Sequence, residues 1–201
     1  MNTDKLMAAF QKNNYVVRVF PCKEAAADYL DQSIDGRSVG FGDSGTLMQL
    51  GIYERLRKHN AVHDPLHPKD GKSFEDTAAD CMHTQVFLMS VNAASETGEL
   101  VNMDGTGNRT AGSLYGHEKV YFIIGKNKIA PTLEDAIWRV RNVAAPLNAR
   151  RLGLKTPCAI KGDKCYDCSS PQRICNGMVI HFKAMHHVEM EIVLVDEDLG
   201  L

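Results

Sequence analysis

Apolar residues recur along the chain in short runs, each followed by a glycine-containing turn and then by an amphipathic stretch. Strands are predicted where the runs are continuous or rich in β-branched and aromatic residues, at residues 15–20, 38–41, 86–91, 120–125, 178–182 and 189–195. Helices are predicted where apolar residues return at helical spacing, at residues 2–12, 23–32, 47–56 and from Thr132 onward. This alternation predicts one α/β domain over residues 1–201, with a mainly parallel, doubly wound sheet.

Residues 156–176 break this rhythm. They carry cysteines, glycine and proline but little apolar periodicity, so something other than an apolar core is needed to order them. Their cysteines have the spacing C-x6-C-x2-C-x6-C and are Cys158, Cys165, Cys168 and Cys175. The short central turn lets two sulfurs face one ion, and four thiolates satisfy either tetrahedral zinc or a four-iron cluster. We therefore predict a metal-binding segment here.

The cysteine spacing does not decide between the two kinds of metal centre. It matches neither a standard zinc ribbon nor a standard ferredoxin run. The alternative is four separate thiols, some buried and some free. Disulfides are disfavoured, because the chain shows no export signal and the cytosol keeps thiols reduced. Cys22 and Cys81 lie outside the segment and are predicted to be ordinary core or surface thiols.

The net charge and the N-terminal sequence indicate the cellular compartment of the protein and the classes of partner it can bind. The net charge of −2 provides no strong field to attract nucleic acid or an anionic membrane. No apolar run approaches the roughly 20 residues that a membrane-spanning helix needs. Residues 1–6 lack the apolar stretch and cleavage site of a signal peptide. These patterns predict a cytoplasmic protein whose ligands are small molecules or other proteins.

A first glycine-rich loop follows the predicted strand at 38–41. Its candidate ligand-binding residues are Gly40, Gly42, Asp43, Ser44, Gly45 and Thr46. Glycines let the backbone turn sharply and approach a ligand, and free amides beside hydroxyls suit a phosphate or carboxylate. The loop lacks the Gly-Lys-Ser/Thr ending of a Walker loop and the full dinucleotide fingerprint. A structural turn is the alternative.

A second glycine-rich loop combines flexible backbone with charged and amide side chains. Gly105, Thr106 and Gly107 are candidate ligand-binding residues, and Asp104, Asn108 and Arg109 are candidate catalytic residues. Arg109 could clamp a carboxylate or phosphate through two hydrogen bonds. Asp104 could act as a general base or cap the following turn. The first loop follows the predicted strand at 38–41, and the second follows residues 100–103, an extended segment that returns after a predicted turn at 96–99. The two loops are therefore expected to meet in one cleft at the carboxyl ends of the strands.

Four blocks of sequence resemble the lactate-utilisation (LUD) domain family: residues 92–109, 120–129, 144–151 and 158–175. The resemblance extends over nearly the whole chain. It implies the fold shared by ribose-phosphate isomerases, glucosamine-phosphate deaminases and coenzyme A transferases. It also implies a part in oxidising lactate to pyruvate within a multi-protein iron–sulfur system. On this basis a [4Fe–4S] cluster is favoured over zinc, and an iron–sulfur oxidoreductase is the expected partner.

The chain departs from one of these related folds at its second loop. Asp104-Gly105 is similar to the start of the isomerase motif, but Gly107 stands where that motif has a second aspartate. An isomerase that needs both acids is therefore not predicted, and fold analogy alone supplies no reaction.

Three functions remain open at this level. The first is a redox component of 2-hydroxy-acid metabolism with an iron–sulfur centre. The second is a non-redox enzyme or binding protein with a structural zinc, taking a phosphorylated or coenzyme A-like ligand. The third is an assembly subunit without an active site. The sequence also leaves open whether the chain forms a homo-oligomer.

Overall fold

The computed structural model describes residues 3–201. Met1 and Asn2, which belong to the predicted domain, lie outside the described residues, and Asn2 also begins the first predicted helix. The strands are β1 (Val16–Phe20), β2 (Ser38–Phe41), β3 (Ala61–His63), β4 (Val86–Ser90), β5 (Ala93–Ser95), β6 (Leu100–Asp104), β7 (Lys119–Gly125), β8 (Ile129–Ala130), β9 (Gly177–His181) and β10 (Glu189–Val195). The α-helices are α1 (Thr3–Lys12), α2 (Lys23–Ser33), α3 (Gly45–Leu50), α4 (Ile52–Leu56), α5 (Phe74–Cys81), α6 (Asn108–Gly112), α7 (Leu133–Arg139), α8 (Ala145–Arg151) and α9 (Pro157–Lys161).

Six strands form the central sheet in the order β1-β10-β7-β4-β2-β3. Every neighbouring pair is parallel. A parallel sheet needs cover on both faces, which explains why all five residues of β4 are buried. The predicted doubly wound α/β fold is confirmed.

Helices cover both faces of this sheet, as the alternation along β7 shows. Val120, Phe122 and Ile124 point to the face covered by α1, and Tyr121 and Ile123 point to the face covered by α2, α3 and α4. All five side chains are at most 2% exposed. Burial on this scale contributes about 1.5–3 kcal/mol for each large apolar side chain. The sheet is therefore a rigid base for the loops at its edge.

A second, four-stranded sheet has the order β8-β5-β6-β9. β6 pairs antiparallel with β5 and β9, whereas β5 pairs parallel with β8. α7 packs over it through Ala136, next to Ala93 and Val101. The second glycine-rich loop therefore follows β6 of this smaller sheet and not a strand of the central sheet.

Two helical predictions need correction. The helix predicted over residues 47–56 is two helices, α3 and α4, because Gly51 adopts the left-handed conformation with φ 63° and ends the first. The helix predicted from Thr132 does start there, with the Thr132 hydroxyl accepting from the Asp135 amide. It passes through a π-helical turn at Val140–Ala144 before it continues as α8. Among residues 3–201, no helix is long and apolar enough to cross a membrane.

Candidate functional site

A cleft of about 260 Å³ opens at the carboxyl edge of the central sheet. Its floor is formed by the residues that follow three adjacent strands, with Asp43 to Thr46 after β2, Ser90 to Asn92 at the end of β4, and Lys128 after β7. Residues 103–106, 108 and 109, from the end of β6 to the start of α6, supply one wall, and α8 supplies another through Asn148 and Arg151. The two glycine-rich loops thus lie on one cleft.

Within the first loop, the structure separates lining residues from packing residues. Asp43, Ser44, Gly45 and Thr46 line the cleft. Gly40 and Gly42 do not belong to the lining. A Cβ at Gly40 would lie 2.7 Å from the Thr84 hydroxyl oxygen, and one at Gly42 would lie 3.0 Å from Met89 Cβ. Close packing against neighbouring elements accounts for these two glycines.

Asp43 adopts an uncommon backbone conformation at the mouth of the cleft. Its φ of 39° lies in the left-handed region, where a non-glycine residue costs of order 1 kcal/mol or more. Such conformations concentrate at functional sites. Burial raises the pKa of the Asp43 carboxyl, and the positive charges of Arg109 and Arg151 oppose part of that rise. Asp43 therefore lies within the electrostatic reach of both arginines.

The second loop is held by Asp104. One carboxylate oxygen accepts from the Thr110 amide at 3.1 Å and from the Thr110 hydroxyl at 3.3 Å, while the other accepts from Arg109 Nε at 3.3 Å. Gly107, with φ 94°, caps α6 and lies outside the cleft lining. Gly105, Thr106 and Asn108 are part of the lining. Of the two roles predicted for Asp104, these contacts match the capping role.

Lys128 is a charged residue of the cleft that the sequence did not single out. Its side chain is only 4% exposed. Its Nζ donates to Thr46 Oγ1 at 2.8 Å and to Ser90 Oγ at 2.9 Å. Burial lowers the pKa of Lys128 to about 7, and the positive charges of Arg139 and Arg109 add to this effect. The available signal was a basic turn directly after the buried strand β7.

Two arginines give the cleft its remaining positive charge. Arg109 Nη2 donates to the Met103 carbonyl at 2.6 Å, and Asp104 accepts from its Nε, so this guanidinium is fixed in place. Arg151 is exposed, and its Nε donates to the Asn148 amide oxygen at 3.0 Å. The cleft therefore joins one anchored guanidinium, one exposed guanidinium and one buried amine.

The cysteine segment lies against the second loop. A Cβ at Gly105 would lie 3.0 Å from Ile174 Cα, and the Asn176 amide donates to the Asp104 carbonyl at 3.0 Å. Ile174 also lines the cleft. The segment that carries the four cysteines thus helps to shape the ligand cleft.

Three of the four cysteines influence one another. Burial raises the pKa of Cys175, Arg173 opposes the rise, and Cys165 and Cys168 add to it. Cys165 and Cys175 also line a cavity of about 200 Å³ together with Arg141 and Arg173. Cys158 lies on α9, with its sulfur 3.2 Å from the Thr156 hydroxyl oxygen.

The thiols nevertheless do not form a ready set of metal ligands. In the part of the chain from residue 3 to 201, no group of three or more His, Cys, Asp or Glu side chains is placed to hold a metal ion. All six cysteines are free. Between Lys161 and Gly177 the backbone has no helix or strand, so the arrangement of these sulfurs is set by turns. The predicted metal centre remains a prediction.

The architecture and its cleft define the class of doubly wound α/β proteins that bind ligands at the carboxyl edge of the sheet. The chain belongs to the LUD domain family, whose sequence model matches residues 3–195. That family is associated with lactate utilisation. The fold is similar to a crystal structure of a DUF162 family protein from Deinococcus radiodurans, with a TM-score of 0.50, 11% identity and coverage of 96% of this chain and 95% of that one. No curated relative matches the sequence.

Proposed function

We propose that the protein is the ligand-binding component of a lactate utilisation system and that its cleft binds a small 2-hydroxy or 2-oxo carboxylate. The observation that carries this proposal is the buried amine of Lys128, which lies in the same small cleft as Arg109 and Arg151. Guanidinium groups such as those of Arg109 and Arg151 hold carboxylates through charge-assisted hydrogen bonds. Asp43 supplies carboxylate oxygens that can accept from the hydroxyl at C2 of a 2-hydroxy acid.

The charge of the lining favours a carboxylate over a phosphate. Two cationic side chains, Arg109 and Arg151, face the cleft together with two acidic ones, Asp43 and Asp104, and Lys128 adds a positive charge only when its amine is protonated. The lining therefore carries at most one surplus positive charge. A singly charged carboxylate balances that charge, whereas a phosphate monoester, with a charge of about −2 at neutral pH, would leave an uncompensated negative charge.

The volume of the cleft also favours a small acid. Pockets for drug-sized ligands occupy roughly 300–1,000 Å³, whereas this cleft measures about 260 Å³. A three-carbon acid fits this space, and a coenzyme A-like ligand would have to lie mostly outside it. Size and charge therefore support the same ligand class.

Replacing Arg151 with leucine should weaken lactate binding by about fivefold to tenfold, because a solvent-exposed charge contributes roughly 1 kcal/mol. Isothermal titration calorimetry with L-lactate would measure the change. Arg150→Leu is the matched control, since Arg150 is exposed on the same helix but lies outside the cleft lining. Equal affinities in the two variants would contradict the assignment of Arg151 to the site.

We also propose that Cys158, Cys165, Cys168 and Cys175 bind a metal centre, with a [4Fe–4S] cluster as the first choice and zinc as the alternative. The proposal is supported by the cavity between Cys165 and Cys175, where Arg141 and Arg173 offset thiolate charge. The irregular backbone of the segment allows metal binding to draw the sulfurs together, because metal binding and folding are coupled. Such a centre fits a protein that works beside an iron–sulfur oxidoreductase partner.

Purification without oxygen should yield a brown protein with iron and acid-labile sulfide in similar amounts. Cys165→Ser and Cys168→Ser should each lose most of both, whereas Cys22→Ser should retain them, because Cys22 lies outside the segment. Metal and sulfide analysis of the three variants measures this. One zinc per chain without sulfide would instead select the structural-zinc alternative, and no metal at all would contradict both.

A further inference from the structure

Lys128 is buried without an acidic partner. Its Nζ contacts two hydroxyl oxygens, and no ion pair joins it to an Asp or Glu within residues 3–201. Buried lysines are normally paired with a carboxylate, because an isolated buried charge is costly. The surroundings of Lys128 therefore favour a neutral amine over an ammonium.

The hydrogen bonds around Lys128 leave its lone pair unused. Ser90 Oγ lies 3.4 Å from the Val91 carbonyl oxygen, and Thr46 Oγ1 lies 3.4 Å from the Leu199 carbonyl oxygen, so both hydroxyls donate to backbone. Their oxygens then act as acceptors for Nζ. A neutral amine has two N–H groups, and Thr46 and Ser90 accept both of them. The lone pair of the nitrogen is then free to react.

The charged groups near Lys128 also favour the neutral amine over the ammonium. Arg139 and Arg109 are the positive groups that act on it, and burial is the larger cause of its lowered pKa. Asp43 and Asp104 are the acidic residues of the lining, and neither forms an ion pair with Lys128. A desolvated lysine beside another cation is the environment in which lysine becomes a nucleophile toward carbonyl carbon.

We propose that Lys128 forms a reversible Schiff base with the C2 carbonyl of a 2-oxo acid bound in the cleft. This inference rests on the proposed function, in which the cleft binds small carboxylates. The Nζ lone pair adds to C2, and the carbonyl oxygen takes up the proton that leaves nitrogen. Loss of one water then forms the C=N bond, and no oxidant or reductant is needed. Arg109 and Arg151 hold the carboxylate meanwhile.

The reaction class that supplies such a ligand is the oxidation of a 2-hydroxy acid. The hydroxy acid has no carbonyl at C2, so it occupies the cleft without bonding to Lys128. Lys128 would therefore distinguish the two oxidation states of one ligand, holding the oxidised acid covalently and the reduced acid through hydrogen bonds and charge alone.

Borohydride trapping tests this on the wild-type protein. The protein is incubated with pyruvate and sodium cyanoborohydride at pH 8, digested, and examined by peptide mass spectrometry. The expected product is Lys128 carrying the mass of pyruvate minus one water plus two hydrogens. Lys126 is an internal control, since it is exposed on the same turn. Lys128 should be labelled about tenfold or more over Lys126, because burial favours the neutral amine of Lys128 and the neutral amine is the form that attacks carbonyl carbon.

Calorimetry with lactate on the same preparation separates this inference from the proposed function. Lactate binding without a Lys128 adduct would overturn the Schiff base and leave the carboxylate site intact. An adduct on Lys128 that lactate fails to block would keep the Schiff base and overturn the lactate site. Equal labelling of Lys126 and Lys128 would also overturn the Schiff base. Lys128→Arg, checked for folding by circular dichroism, should give no adduct at this position.

Discussion

Replacing Lys128 with methionine is expected to raise the free energy of unfolding at pH 7. The folded protein holds this amine with a pKa of about 7, whereas the unfolded chain holds it with a pKa near 10.4. Each unit of difference corresponds to about 1.4 kcal/mol, so burial of Lys128 costs roughly 4 kcal/mol near neutral pH. In the variant, the hydroxyls of Thr46 and Ser90 lose their hydrogen bonds to Nζ, and this loss offsets part of the stabilisation gained by removing the buried amine.

The expected net stabilisation is about 1–3 kcal/mol at pH 7. Between the two pKa values the unfolded chain binds more protons at this site than the folded protein does, so the stability of the wild type rises with pH across that window. The full free-energy cost of burying Lys128 applies below about pH 7, and this cost decreases as the pH rises above 7. The difference in the free energy of unfolding between Lys128→Met and the wild type should therefore be smaller at pH 9.5 than at pH 7.

Urea unfolding of both proteins at the two pH values measures this effect. Lys126→Met is the control, because Lys126 is exposed and its replacement should change stability by less than about 0.5 kcal/mol. A destabilised Lys128→Met protein at pH 7 would show that the hydrogen bonds of Lys128 outweigh the cost of its burial.

Replacing Phe87 with alanine should destabilise the protein by about 3–5 kcal/mol, the usual cost of removing a buried aromatic ring. Phe87 is 0% exposed and stacks on His117 with ring centroids 4.9 Å apart. Its ring also supports both glycine-rich loops. A Cβ at Gly112 would lie 2.6 Å from the ring, and one at Gly42 would lie 3.2 Å from it. Gly42 begins the turn into the first loop, and Gly112 ends the helix that follows the second.

Loss of this ring should therefore also weaken lactate binding, because the floor and one wall of the cleft lose a common support. Phe122→Ala is the matched control. Phe122 is equally buried on the same face of the sheet, but its ring contacts are with Tyr15 and His181. Urea unfolding and lactate calorimetry at low temperature should show similar stability losses in the two variants and reduced affinity in Phe87→Ala alone. Equal affinity losses would refute the supporting role.

The central sheet could be predicted because its strands carry strong patterns. The β10 run at 189–195 matches the structure at both ends, and β4 is recognisable as a continuous apolar run. Of the second sheet, β9 corresponds to the strand predicted at 178–182, but β5 and β8 could not be predicted, because β5 has three residues and β8 has two. Strands this short show no measurable period. Tertiary packing against α7, and not local sequence preference, determines them.

The candidate site was predicted in part. The meeting of the two loops follows from the rule that ligands bind beyond the carboxyl ends of strands, even though β6 belongs to the other sheet. Lys128 could not be distinguished from Lys126 by residue type. The 3-10 turn at Lys126–Lys128 decides which amine points inward. Likewise, sequence cannot tell a glycine that approaches a ligand from one that packs against Cys81 and Thr84, as Gly40 does.

The position of β10 has a consequence for protein synthesis. β10 lies between β1 and β7, and within residues 3–201 β1 pairs with no other strand. During translation, more than 160 residues are synthesised between β1 and its partner strand β10. β1 therefore emerges from the ribosome long before β10 is available to pair with it. During that interval its edge is open to pairing with other chains, a hazard of folds with distant strand partners. Slow translation would lengthen the exposure of β1, and a chaperone that binds extended segments near the ribosome exit would shorten it.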